Sequence, residues 1–424
     1  MNSQRAIFSR PTQKRLFASV SVLLLGFTGC TSLREAVKAQ DSRSPLPQPT
    51  LPSANSDVEA LVQMGPRVAG TPVMEQASRY LMDEFRKAGY VTAVQTFTYE
   101  KFDDQGSSLT VNGNLLKGLA LRGSAAGRPT ARLVVVPNVG RSTDFAQVNV
   151  KGAIAITRRG EIPFAEKAQN AAAAGAIGLV IVNNAADDFM GTLTQKSAIP
   201  VLGISGEQGK SLLEQSQPEQ PNVTLTVNAG QRQVTGRNVV AHLEGVAQPQ
   251  VLVGGHYDSV PGSPGANDNA SGTAVVLAIA RNLARTPQAR NVWFVAFDGE
   301  EDGLHGSKAF VEQADPTFLK GLKGMLNFDM VGVNAQLRVS GTPALTKLAQ
   351  AIDSEAVTFG SSGGGSDHVP FAAKGVPILF FHRGLEPNYH KPTDTKVDPN
   401  LLNETTAAAL TVIKEVLTAT PGST

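Results

Sequence analysis

Between residues 56 and 89 apolar side chains recur at three-and-four spacing: Val58, Leu61 and Val62, then Ala77, Tyr80, Leu81 and Phe85. That period predicts amphipathic helix. Gly65-Pro66 and Gly70-Thr71-Pro72 break it into two pieces, and Gly89 is a suitable stop. Val91, Val94, Phe97 and Tyr99 then predict a strand. From about residue 105 to 232 the texture changes. Short apolar runs at 133–136, 153–156, 179–182 and 199–204 predict strands, and 164–175 and 206–213 predict helices. From Asn238 onward apolar runs at 239–243, 251–256, 292–297, 325–328 and 376–381 alternate with helical patterns at 271–283, 308–313, 344–352 and 405–417. The run at 271–283 is apolar on nearly all sides, which predicts a buried helix. Alternating strand and helix predicts an α/β fold, with a mostly parallel central sheet and helices on both faces. Ligands in such sheets bind at the carboxyl ends of the strands.

Composition narrows the classes. The chain has 424 residues, 41% of them hydrophobic. That is enough for roughly two or three domains with real cores. Lys and Arg total 38 against 36 Asp and Glu, a formal charge of +2. This balance argues against a nucleic-acid partner, which selects for a basic excess or stripe. A single cysteine, Cys30, excludes an intramolecular disulfide and any thiolate-rich metal site.

The cysteine's setting is informative. Arg5, Arg10, Lys14 and Arg15 precede an apolar run at 16–27. The run is shorter than the ~18 apolar residues of a spanning helix and suits a signal-peptide core. Phe27-Thr28-Gly29-Cys30 follows and resembles a bacterial lipobox, with Phe27 where Leu is usual. Residues 1–30 are therefore expected to be a signal peptide with lipobox, anchoring the protein in the cell envelope through a lipid at Cys30. Ordinary secretion, with cleavage after Val37-Lys38-Ala39, is the alternative. Residues 31–55, with repeated Pro and Ser, predict a flexible linker.

Chemistry gathers where strands end. The run at 251–256 ends in His256-Tyr257-Asp258, and Asp268 follows soon after. The run at 292–297 ends in Asp298-Gly299-Glu300-Glu301, and that at 325–328 in Asp329. The run at 376–381 leads through a loop to Tyr389-His390. Each alone has an ordinary explanation, such as a solvated helix start. Together they bring several carboxylates to one place, where mutual repulsion would raise their pKa values unless a cation intervened. Two His with carboxylates and no Cys suit Zn²⁺, and less exclusively Mn²⁺ or Co²⁺. There are more ligands than one tetrahedral ion needs, so two ions are expected. Two neighbouring ions can bridge one water, acidify it and polarise a carbonyl.

The segments GGHYDS (254–259), GANDNASG (265–272), FDGEEDGLHGS (297–307), NFDMVG (327–332) and YHKPTDT (389–395) resemble the di-zinc aminopeptidase family of secreted bacterial and vacuolar exopeptidases. Its relatives include glutamate carboxypeptidases and the transferrin receptor. The resemblance implies a zinc peptidase domain at 56–104 and 233–424, hydrolysing N-terminal residues from peptides with two Zn²⁺ per chain. It implies that His256 and Asp329 ligate one zinc, that Glu301 and His390 ligate the other, and that Asp268 bridges them. It further implies Glu300 as general base, Tyr389 as a donor to the oxyanion and Asp258 as the partner that orients His256. Residues 105–232 resemble a protease-associated (PA) domain, a smaller α/β insert, through the strand after Lys151-Gly152, the helix from Lys167 to Gly175 and the Ile199-Pro200 strand. The insert contains no His. His368 and the pair His382-Arg383 are candidates for the substrate side, with Arg383 or Lys391 as anchors if the substrate offered a carboxylate. Trp293 is expected in the core, and His242 and His305 in structural positions. Carboxypeptidase, glutaminyl cyclase and a receptor-like binding protein are the competing functions. No obligate protein partner is evident.

Overall fold

The computed structural model describes residues 53–214, 221–359 and 365–419. The expected leader, lipobox and nearly all of the linker lie outside them. No helix among the described residues is long and apolar enough to cross a membrane. The chain forms two compact units: Tyr99–Val234 is one, and the described residues before and after it are the other.

The N-terminal helices are Ala54–Gln63 and Pro72–Lys87, separated at the expected Gly and Pro residues. The first starts two residues earlier than its period suggests, because Ser53 caps it by accepting from the Ser56 amide. Strand β1, Val91–Asp104, then carries the chain out of this unit.

In the inserted unit β2 (Ser107–Val111), β3 (Asn114–Ala120), β4 (Thr130–Val135), β5 (Ile154–Arg158), β6 (Gly178–Val182), β7 (Val201–Ile204) and β8 (Asn222–Thr226) close into a barrel. Their order is β2-β3-β7-β6-β5-β4-β8. The β2–β3 hairpin and β8 were not expected from the hydrophobic runs. The hairpin did carry a local signal: Asn112 and Gly113, at φ 48° and 81°, form the two-residue turn that Asn-Gly favours. The expected strands are apolar throughout because both faces are covered. Ile154 and Ile156 join one apolar cluster, while Ala155 joins another with Ala168 and Ala171 of the helix Phe164–Ala173. Lys167 of that helix is buried too, its ammonium donating to the carbonyls of Val139, Arg158 and Gly160.

Strand β9, Ala229–His242, returns the chain to the first unit, followed by β10 (Val251–His256), β11 (Val292–Phe297), β12 (Gly324–Phe328), β13 (Arg338–Gly341), β14 (Val357–Thr358) and β15 (Ile378–His382). The sheet order is β1-β9-β11-β10-β12-β15-β13-β14. The middle four strands, β11, β10, β12 and β15, are mutually parallel. β9 and β13 flank them antiparallel. Alternate residues serve opposite faces. Val251 and Val253 pack with the helices Ala54–Gln63, Pro72–Lys87, Gly272–Leu283 and Pro399–Thr418, whereas Leu252 packs with Phe310, Phe318 and Phe371 of the helices on the other side. Trp293 is in that second core, as expected. It stacks on His242 at 4.3 Å and donates its indole N–H to Val246 O at 3.0 Å. The helix Gly272–Leu283 is buried almost all round, with one charge inside it. Arg281 is met by Asp57 and by Glu84 at 2.7 Å, from the two N-terminal helices.

Candidate metal centre

Four parallel strands end side by side, and this brings together groups far apart in sequence. His256 is the last residue of β10 and pairs in register with Phe297, the last of β11. Glu300 and Glu301 lie in the turn just beyond. Phe328 of β12 pairs with Phe381 of β15, so Asp329 and the loop after β15 leave the same edge. Asp268 comes from the tight turn Ala266–Ser271 that opens the buried helix. His390, at φ 60°, sits in a left-handed bend that turns it toward Asp268.

The distances define a two-lobed cluster. One carboxylate oxygen of Asp268 lies 3.4 Å from His256 Nε2, and the other lies 3.1 Å from His390 Nε2. Asp329 Oδ1 is 3.4 Å from His256 Nε2, and Glu301 Oε2 is 3.2 Å from His390 Nε2. Glu300 Oε2 is 4.0 Å from His256 Nε2. Two groups, His256 with Asp268 and Glu301, and His256 with Glu300 and Asp329, each bring three donor atoms within 4.8 Å of one another. Glu301 Oε1 is buried with no hydrogen-bond partner, and His390 Nε2 faces only the carboxylates of Asp268 and Glu301. A buried N/O set of this kind, with an orphaned oxygen, fits divalent zinc.

The charges act strongly on one another, with the buried Arg67 guanidinium adding to the pull on Asp268 and Glu301. Burial pushes the Glu300 carboxyl well above the usual range; His256 opposes this, and Asp329, Asp367 and Glu301 add to it. Burial and Asp268 push Glu301 up to about 7, against the two imidazoles. Burial also works against the Asp268 charge, but His256 and His390 hold that carboxyl below the usual range. Burial disfavours the imidazolium of His390, yet Asp268 and Glu301 raise it to about 10. A histidine that ligates a metal must be neutral, so a bound cation would displace those protons.

Around the cluster, His256 Nδ1 lies 3.3 Å from the Asp258 carbonyl and 3.5 Å from its carboxylate. The same carboxylate accepts the amides of Glu300 and Glu301, each at 3.2 Å. Tyr389 stacks on His390 at 3.8 Å, and burial with the nearby carboxylates raises its phenol, keeping it protonated. Asn269 ties the turn to the end of β12, donating to Phe328 O at 2.9 Å and accepting from Gly272 and Met330 amides. Ser366 accepts from Asn327 at 2.9 Å. Asp367 is fully buried, and burial pushes its carboxyl up to about 7.

Other expectations are corrected. Arg383 is 2% exposed and donates to the carbonyls of Asn334, Ala335 and Leu401, so it is not a rim cation for a substrate carboxylate. His382 is bonded to Asp329 O at 2.8 Å. His305 starts the helix His305–Gln313, one turn earlier than expected. Two residues near the cluster were given no role from the sequence, Arg67 and Asp394, although Asp394 falls within the segment YHKPTDT at 389–395. Both act on main-chain atoms, and no side-chain pattern marks that role.

A family model described as peptidase family M28 matches residues 238–413, and a PA domain model matches 129–212. The chain is 31% identical to the "probable lipoprotein aminopeptidase LpqL" of Mycobacterium tuberculosis, over 78% of this chain and 76% of that one. A solved structure, described as a zinc aminopeptidase from Bacillus subtilis, aligns with a TM-score of 0.74 and 30% identity, covering 87% of this chain and 97% of that one. The chain is also 32% identical to "aminopeptidase YwaD" of Bacillus subtilis, over 89% of its own length and 86% of the relative's. Similarity of that extent along nearly the whole of both chains, with the cluster at the strand ends, shows that the chain belongs to peptidase family M28 and carries a PA domain within it.

Proposed function

We propose that this peptidase is an extracytoplasmic aminopeptidase that removes N-terminal residues from peptides with the help of two zinc ions. The observation that supports the reading best is Asp268, whose two oxygens face two different imidazoles at 3.4 and 3.1 Å. His256 and Asp329 would hold one ion, Glu301 and His390 the other, and Asp268 both. When bound, the pair would polarise the scissile carbonyl and acidify a water. Glu300 would take the proton from that water and return it to the leaving amine, a task suited to a carboxyl already raised by burial. Tyr389 would donate its hydroxyl to the oxyanion. Asp258 would orient the His256 ring and hold the Glu300 and Glu301 amides. The carboxylates beside the ions would accept the free amine of the substrate. We assign the peptidase domain to 56–104 and 233–424 and the PA insert to 105–232. We further propose that 1–30 is a signal peptide with lipobox, that a lipid at Cys30 anchors the enzyme in the envelope, and that the stretch from 31 up to the helix cap at Ser53 is its linker, two residues shorter than expected because Ala54 already begins a helix.

Glu300→Gln tests the central assignment. It is expected to bind two zinc ions per chain by elemental analysis, and to lose about 10²- to 10⁴-fold in kcat on aminoacyl substrates. Full activity would refute the role of Glu300. The wild-type enzyme is expected to cleave free-amine peptides and spare N-blocked ones; cleavage of the blocked set would overturn the aminopeptidase reading.

A further inference from the structure

The turn carrying Asp268 is irregular. Asp268 and Asn269 have non-helical backbone angles, so the amides before the helix have no intrahelical acceptors. One residue supplies what they lack. Asp394, 2% exposed, accepts three consecutive amides: Ala266 through its carbonyl at 3.1 Å, and Asn267 and Asp268 through its two carboxylate oxygens at 2.8 and 3.1 Å. Asp394 lies four residues beyond His390, in the same loop. Arg67, fully buried, grips the segment leading into the turn. Its guanidinium donates to Tyr257 O at 2.7 Å, to Pro264 O and to Gly265 O at 2.9 Å. Its main chain exchanges two further bonds with Ser259, both at 3.0 Å.

We propose that Arg67 and Asp394 are positioning residues, a clamp on the turn and on the segment leading into it that sets where the Asp268 carboxylate stands. The inference rests on the reading of Asp268 as the ligand shared by both ions. Each of its oxygens must meet a different metal, so a small rotation of the turn misplaces both bonds together. A site held on side-chain contacts alone would tolerate such drift, whereas ligand placement needs support to within about 0.5 Å. The clamp supplies it through main-chain bonds to the residues leading up to Asp268 and to its own amide. Because Asp394 shares a loop with His390, the same contact also fixes His390 relative to Asp268.

The test is zinc titration of the metal-free protein in competition with a chromophoric chelator, alongside thermal unfolding of the metal-free forms. Asp394→Asn keeps the size of the side chain but offers one carbonyl oxygen and a donor to amides that need two acceptors. It is expected to weaken both zinc ions about 10- to 100-fold, the range for lost support of metal ligands. His390→Ala, by contrast, is expected to weaken one ion. Native zinc affinity in Asp394→Asn, with or without loss of thermal stability, would overturn the clamp, as would weakening of one ion alone. Arg67→Lys keeps the charge but replaces a fork with a single ammonium, and is expected to weaken both ions in the same direction. It decides the matter if Asp394→Asn does not fold. Asp268→Asn is the control for the underlying reading: two ions bound there at native affinity would refute the shared-ligand assignment itself.

Discussion

His368 illustrates how much a single side chain can owe to its surroundings. It is 7% exposed, stacks on Phe380 at 4.5 Å, and leaves Nδ1 buried without a hydrogen-bond partner. Burial pushes its imidazole down to about 4 despite the pull of Asp329. The folded protein therefore holds His368 neutral, while the unfolded chain protonates it near pH 6.5. A folded pKa below the unfolded one means that stability is intact above about pH 6.5 and is lost as pH falls toward 4. At pH 5 the loss from this group is about 2 kcal/mol. His368→Phe keeps the ring and removes the titration. Urea denaturation at pH 7.5 and pH 5 is expected to show the variant losing about 2 kcal/mol less than wild type between the two. Equal losses would mean that His368 is not held neutral.

At the scale of elements, the sequence was most legible where a side chain and a strand end coincide. His256, Glu300, Glu301 and Asp329 each follow an apolar run, and a parallel sheet sets such ends next to one another. The roles of Arg67 and Asp394 were illegible for the opposite reason, even though Asp394 stands in the quoted segment 389–395: their partners are amides and carbonyls, identical at every position. The barrel strands β2 and β8 were missed because they carry polar residues at alternate positions, such as Ser108, Thr110 and Thr224, and β3 because Lys117 and Gly118 split its apolar residues into two short pairs; all three lack the dense apolar texture of β5 and β6. Arg281 shows a buried element relying on distant ones. Its helix Gly272–Leu283 carries no other charge, and Arg281 is met by Asp57 and Glu84, with the Tyr80 hydroxyl donating to Asp57 at 2.6 Å. Removing Arg281 leaves Glu84 with Lys87 at 2.6 Å and the buried Asp57 charge with only the Tyr80 hydroxyl. Arg281→Met is expected to cost about 3–5 kcal/mol in urea unfolding. Adding Asp57→Asn should recover part of that loss, because the pair acts as one unit; strict additivity would show that the two do not interact.

At the scale of the whole molecule, the proposed chemistry and the proposed anchor occupy separate stretches of chain. Every residue assigned to the metal centre lies between His256 and His390, and the first described helix begins at Ala54 with its own cap at Ser53. The proposed linker between Cys30 and that cap carries repeated Pro and Ser. Lipid attachment would then hold the enzyme at a membrane surface without any demand on the folded body. Cys30 is the only cysteine in the chain, so the assignment can be tested cleanly. In cells that process lipoproteins, wild-type protein is expected to partition into the detergent phase and to take up labelled palmitate. Cys30→Ala is expected to lose the label completely, move to the aqueous phase and keep its kcat/KM on soluble peptides. A wild-type protein found unlabelled and soluble would replace the anchor with plain secretion, and a fall in kcat/KM would mean that the N-terminal segment takes part in catalysis.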